Sequence, residues 1–131
     1  MLLRALVIWF LIVAVETVHG IVRRLVVEPR IGDLRARQAG VAIGSFLILL
    51  VSFVTLPWLG AMTASEQLGV GLLSLTLMLP FEIGVGRLTG ATWARIRSDY
   101  DPREGGFLAF GLLVLLTAPL FAAWTRRTIG M

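Results

Sequence analysis

Cysteine and lysine are both absent from the 131 residues, and charged side chains make up only 15% of the chain. Without cysteine there can be no disulfide framework, no thiolate nucleophile and no Cys-ligated zinc or iron–sulfur site. Soluble domains carry about 25% charged residues and about 45–50% apolar ones. Here 57% of residues are hydrophobic and the mean hydropathy is +0.88. That balance excludes a disordered chain, a nucleic-acid-binding domain and an ordinary water-soluble enzyme. No catalytic triad, phosphate-cradling glycine loop or nucleotide motif appears, so the chain is read as non-catalytic and without a cofactor.

What the chain does contain is long charge-free windows. The 18 residues between Arg4 and Arg23 include only Glu16 and His19 as ionisable groups. No charge occurs from Ala39 to Ser65, only Glu82 between Glu66 and Arg87, and none from Gly105 to Thr125. A bilayer core of about 30 Å needs roughly 20 apolar residues in a helix. Backbone buried in lipid must satisfy its own hydrogen bonds, which at this apolarity means helices. The windows therefore predict four spans near 2–20, 39–58, 67–86 and 106–124. The first lacks a small-x-small cleavage site and is read as a span, not a leader.

All twelve basic residues are arginine, and nine of them fall in the segments 21–38 and 87–105. Arginine-rich loops stay cytoplasmic. The expected location is a bacterial inner membrane, with both termini periplasmic and Trp58 and Trp124 at the outer interface. The partners expected are the lipid bilayer and a further protein or a second copy, with no nucleic acid.

Sliding the chain by 66 residues superposes Glu16 on Glu82, Gly20 on Gly86, Asp33 on Asp99, Arg37 on Arg103, Gly40 on Gly106 and Trp58 on Trp124. Both halves read E-x3-G-x12-D-x3-R-[QE]-x-G. Each half is one helical hairpin, so the second enters the membrane in the same sense as the first. The fold expected is all-α: one integral membrane domain over 1–131, a four-helix bundle of two tandem, parallel hairpin repeats at about 1–58 and 67–124. The first connection looks like a continuation of helix 1 or a short interfacial helix, ended by Pro29. Asp33 is expected to cap helix 2, and Asp101 to cap helix 4 ahead of Pro102.

Glu16 and Glu82 are the sharpest chemical feature. Each lies about 21 Å along its helix at 1.5 Å per residue, roughly 10 Å inside the boundary of a ~30 Å core. An ionisable side chain at such depth is costly and marks a functional site by default. Two readings are open. The acids handle protons or a cation, or they anchor an internal salt-bridge network with Arg37 and Arg103, which recur with them, and with Arg23 and Arg87 nearby. His19 completes a Glu-x-x-His spacing known from di-iron bundles, but Val85 stands where a second His would recur, so no metal is expected. Gly20, Gly40, Gly44, Gly86 and Gly106 are expected to permit close helix packing. Pro80, two residues before Glu82, should kink helix 3.

The segments Glu16-Thr-Val-His-Gly20, Arg30-Ile-Gly-Asp-Leu-Arg-Ala-Arg-Gln38 and Phe81-Glu-Ile-Gly-Val-Gly-Arg87 carry a resemblance, joined by Ile96-Arg-Ser-Asp-Tyr-Asp101. In these the chain resembles a family of small four-span bacterial membrane proteins. The resemblance implies a bacterial origin and a four-helix fold, and no activity. Two functional expectations follow. One is a non-catalytic small subunit or assembly partner of a larger membrane complex. The other is a small proton- or cation-coupled transporter or channel using Glu16 and Glu82.

Overall fold

The computed structural model describes residues 2–130, all helix, turn or loop with no strand among them. Helix α1 (Leu2–Val22) widens into a π turn (Arg23–Val27) and continues into α2 (Glu28–Ile31). The three form one run of 30 residues. Pro29 has no N–H to give, and in an α-helix its ring would press on the carbonyl four residues back. The wider π register relieves that conflict, with the Glu28 N–H donating to Arg23 O. The run therefore passes Pro29 and stops at Gly32, whose φ of 88° suits glycine alone.

Helix α3 spans Asp33–Leu59 and α4 spans Ala64–Leu88. Thr63 and Glu66 close a capping box at the start of α4. After Gly90 come α5 (Trp93–Asp99), a 3-10 turn (Pro102–Glu104) and α6 (Leu108–Thr128). The runs Leu2–Ile31, Asp33–Leu59, Ala64–Leu88 and Leu108–Thr128 are each long and apolar enough to cross a membrane.

Of the two expected caps, Asp33 is corrected and Asp101 caps a different element. Asp33 is the first residue of α3 and makes no cap hydrogen bond. Its carboxylate turns instead to Arg37 and Arg95, where two guanidiniums outbid a backbone N–H. Asp101 does accept from the Arg103 N–H, but it caps the 3-10 turn. Gly105, at φ 82°, ends that turn, so the last long helix starts only at Leu108.

Helix α3 packs most extensively on α6, α6 on α4, and α1 on α3, whereas α1 and α4 touch sparsely. One of the α1–α4 contacts is the edge-to-face pair Trp9–Phe81, 5.8 Å between centroids. Gly71 lets α4 approach the backbone of α6 at Leu116, where any Cβ would collide with the carbonyl. The core, including Ile12, Ile48, Met78, Leu112, Leu115 and Ala118, lies along the bundle axis. Outside it, Phe10, Phe46, Val54, Leu72, Leu113 and Phe121 are exposed. So continuous an apolar exterior exceeds what water-exposed monomers present.

Proline within α3 is also answered locally. Pro57 cannot donate to Phe53 O, and Arg126 Nε from α6 fills the vacancy at 2.7 Å. The same guanidinium lies 4.6 Å over the Phe53 ring.

Candidate functional site

Because α1 and α4 touch so little, the four long helices leave a half-open chamber of about 770 Å³ between them. It lies in the half of the bundle that ends in the arginine-bearing connections. Its layers follow from helix rise. Val13, Ile48, Met78 and Leu115 form an apolar floor, and Glu16, Ser45 and Glu82 stand above it. His19 and Gln38 come next, and Arg23, Arg24, Arg37 and Arg95 lie toward the connections. Glu16 and Arg23, the first residue of the π turn, are seven residues apart, about 10 Å along the first helical run.

Glu16 rests against α3 at a position that glycine keeps open. A Cβ on Gly44 would stand 2.7 Å from Glu16 Oε2. Glu16 Oε1 is buried with no hydrogen-bond partner. His19 Nδ1 lies 3.7 Å from Oε2, ion-pair range only if the imidazole is protonated. Glu82 accepts a hydrogen bond of 3.0 Å from the Tyr100 hydroxyl. Burial, with the Glu82 and Asp99 carboxyls beside it, holds the Tyr100 phenol above its ordinary range, so it stays a donor.

The arginines do not hold the acids. Arg37 donates to Asp99, and its Nε lies 3.1 Å from Asp33 Oδ2 in an ion pair. Arg95 donates to Asp33 Oδ1 at 3.1 Å. This four-member cluster ties the start of α3 to α5, and Gln38 adds a bond of 2.8 Å to Gly105 O. Arg23 lies along Gly40, where a Cβ would meet its stem at 2.8 Å. Arg87 donates to Ala91 O and stacks 4.8 Å over Trp93. Arg103 is exposed beside Asp101. Among the described residues, no arginine lies within ion-pair distance of Glu16 or Glu82.

The glycines divide by what they face. Gly40 and Gly44 make room for Arg23 and Glu16, Gly106 for the carbonyls of Ser98 and Asp99, and Gly86 meets Ile96 at ordinary distance. Gly20 has nothing within 4 Å of a would-be Cβ, so it opens onto chamber space and not onto a helix crossing. Among the described residues, no three His, Cys, Asp or Glu side chains converge as metal ligands.

Tyr100 and Asp99 were not singled out as site residues from the sequence. Tyr100 is the one tyrosine, which is a weak signal, and only the folding of α5 brings it back to Glu82. Comparison with protein families, with curated proteins and with solved structures yields no match to this chain.

Proposed function

We propose that the chain is a multi-pass membrane protein that moves protons, or a cation exchanged for protons, through a chamber in which Glu16 and Glu82 are the exchanging groups. One observation carries this: both acids line one roomy cavity, and neither is neutralised by an arginine. A carboxyl committed to structure would be paired, because an unpaired charge in an apolar bundle is costly. A carboxyl that must exchange a proton needs open space and water beside it instead.

The apolar exterior supports insertion in a bilayer, and the nine arginines at the chamber end favour a cytoplasmic opening in a bacterial inner membrane. Arg4, at the other end, stacks 5.4 Å over Trp58 and donates to its carbonyl, a fitting anchor for the outer interface. The tandem repeat supports the same picture in part. Asp33 and Asp99, equivalent under the 66-residue offset, both bind Arg37.

The test is proton flux in proteoliposomes under an imposed gradient. The wild type should carry protons, and Glu16→Gln with Glu82→Gln should abolish the flux while the protein stays folded. Wild-type flux in the double variant would overturn the proposal.

A second reading, a small subunit of a larger complex, is favoured by the sparse contact between α1 and α4, which leaves a gap that a partner helix could fill. Purification from the native membrane in mild detergent tests it. A stoichiometric larger partner would support it, and a clean monomer or homo-oligomer would count against it.

A further inference from the structure

A second, much smaller space lies on the bundle axis in the half away from the chamber. It measures about 20 Å³ and is bordered by Ser52, Thr55, Ser74, Leu115 and Pro119, among others. Ser52 and Ser74 are 7% and 6% exposed, the buried polar residues of an otherwise apolar layer, with Gln67 further along. Pro119 adds an acceptor. It has no N–H to give to the carbonyl four residues back, which is that of Leu115. A water needs about 10–15 Å³ and two to four polar partners. The space is large enough, and Ser52 and Ser74 are the polar residues on a lining that is otherwise mostly apolar, Thr55 being bonded to Val51 O of its own helix.

Leu115 borders this space and also the floor of the chamber. It is 2% exposed. On the other helices the two linings lie close together without overlapping. They meet at Ile12 and Val13 on α1, at Ser52 and Ile48 on α3, and at Ser74 and Met78 on α4. On α3 and α4 one helical turn, about 5.4 Å, separates chamber from space, whereas on α1 the two linings are consecutive residues and on α6 they share Leu115. Apolar constrictions of this kind close a path by excluding water.

We infer that Leu115 is the apolar barrier of this protein, and that the space behind it binds a single water molecule between Ser52, Ser74 and the Leu115 carbonyl as the next polar station beyond Glu16 and Glu82. The inference rests on the chamber being the conducting site, as proposed above. The closed side of the path is then the half nearest the termini, and removal of the Leu115 side chain joins the two cavities.

The chain's lack of cysteine allows a direct test. Single cysteines replace Ser45 in the chamber or Ser52 in the small space, with Leu115 intact or changed to Ala. Silver ion is added at the arginine-loop face of oriented proteoliposomes. Thiol that escapes is counted by alkylation after unfolding. Ser45→Cys should be captured quickly in both backgrounds. Ser52→Cys should be captured slowly behind Leu115 and roughly tenfold or more faster behind Ala, as expected when a dewetted constriction opens. Equal rates for Ser52→Cys in the two backgrounds would overturn the barrier while leaving the chamber in place. An inert Ser45→Cys would overturn the hydrated chamber and the inference with it. Should Leu115→Ala not fold, Leu115→Val opens the same gap by one methylene and is read in the same way.

Discussion

Gly44→Ala separates the position of Glu16 from its charge. The new Cβ would sit 2.7 Å from Oε2 and 3.2 Å from Oε1. The carboxylate must retreat by roughly 0.7 Å or more to regain van der Waals distance. What it meets is the free end of a flexible side chain, bordered by the chamber, so the backbone need not move. Alanine gains up to about 1 kcal/mol over glycine within a helix. An off-rotamer Glu16 costs about 0.5–1.5 kcal/mol. The two terms nearly cancel, so the unfolding midpoint in detergent should shift little. Flux should nonetheless fall, because Glu16 is moved from its place in the chamber lining. The assay pairs thermal unfolding with proton flux on one preparation. A drop in stability of several kcal/mol would refute the free retreat of Glu16, and unchanged flux would refute the importance of its position.

Other perturbations probe the frame around the site. Gly71→Ala meets the Leu116 carbonyl, which is backbone and cannot give, so α4 must part from α6; a loss of about 1–3 kcal/mol is expected in thermal or denaturant unfolding. Arg126→Gln withdraws the donor that serves the Phe53 carbonyl left open by Pro57, and the orphaned acceptor should cost about 1–3 kcal/mol in the same assay. Asp99→Asn releases Arg37 and should speed amide hydrogen exchange over 93–99, while exchange in the core of α6 stays unchanged. Tyr100 binds its proton more tightly folded than unfolded, so its contribution is intact below about pH 10, the free phenol value, and is lost as pH rises beyond it. Tyr100→Phe should flatten that alkaline loss in a series of unfolding midpoints, and an equally steep loss would contradict the assignment.

How far the sequence could be read depended on whether a feature is local. The four long helices were legible because lipid-length apolar windows leave few alternatives, and Glu16 and Glu82 stood out as lone acids within them. The ends of the helices were harder. Pro29 looked like a terminator, yet a π turn carries the helix past it to Gly32. Asp33 looked like a cap, yet the approach of α5 supplies Arg95, and an ion pair replaces the cap. Tyr100 could not be assigned to Glu82 without knowing the path of the second connection. That path also explains why Arg37 and Arg103, which a 66-residue offset aligns in the sequence, part company. Arg37 lies one turn inside α3, whereas Arg103 falls in a 3-10 turn ahead of α6 and points to solvent. Nor do the arginines reach the acids among the described residues: Asp33 and Asp99 take Arg37, Arg87 turns to Ala91 and Trp93, and Arg103 lies exposed beside Asp101.

The most direct measurement is infrared difference spectroscopy of the membrane-reconstituted protein across a pH titration. Exchanging carboxyls at Glu16 and Glu82 should give a protonated C=O band that fades as pH rises and that Glu16→Gln with Glu82→Gln removes. A spectrum that is the same in the double variant as in the wild type would contradict proton exchange at these two residues.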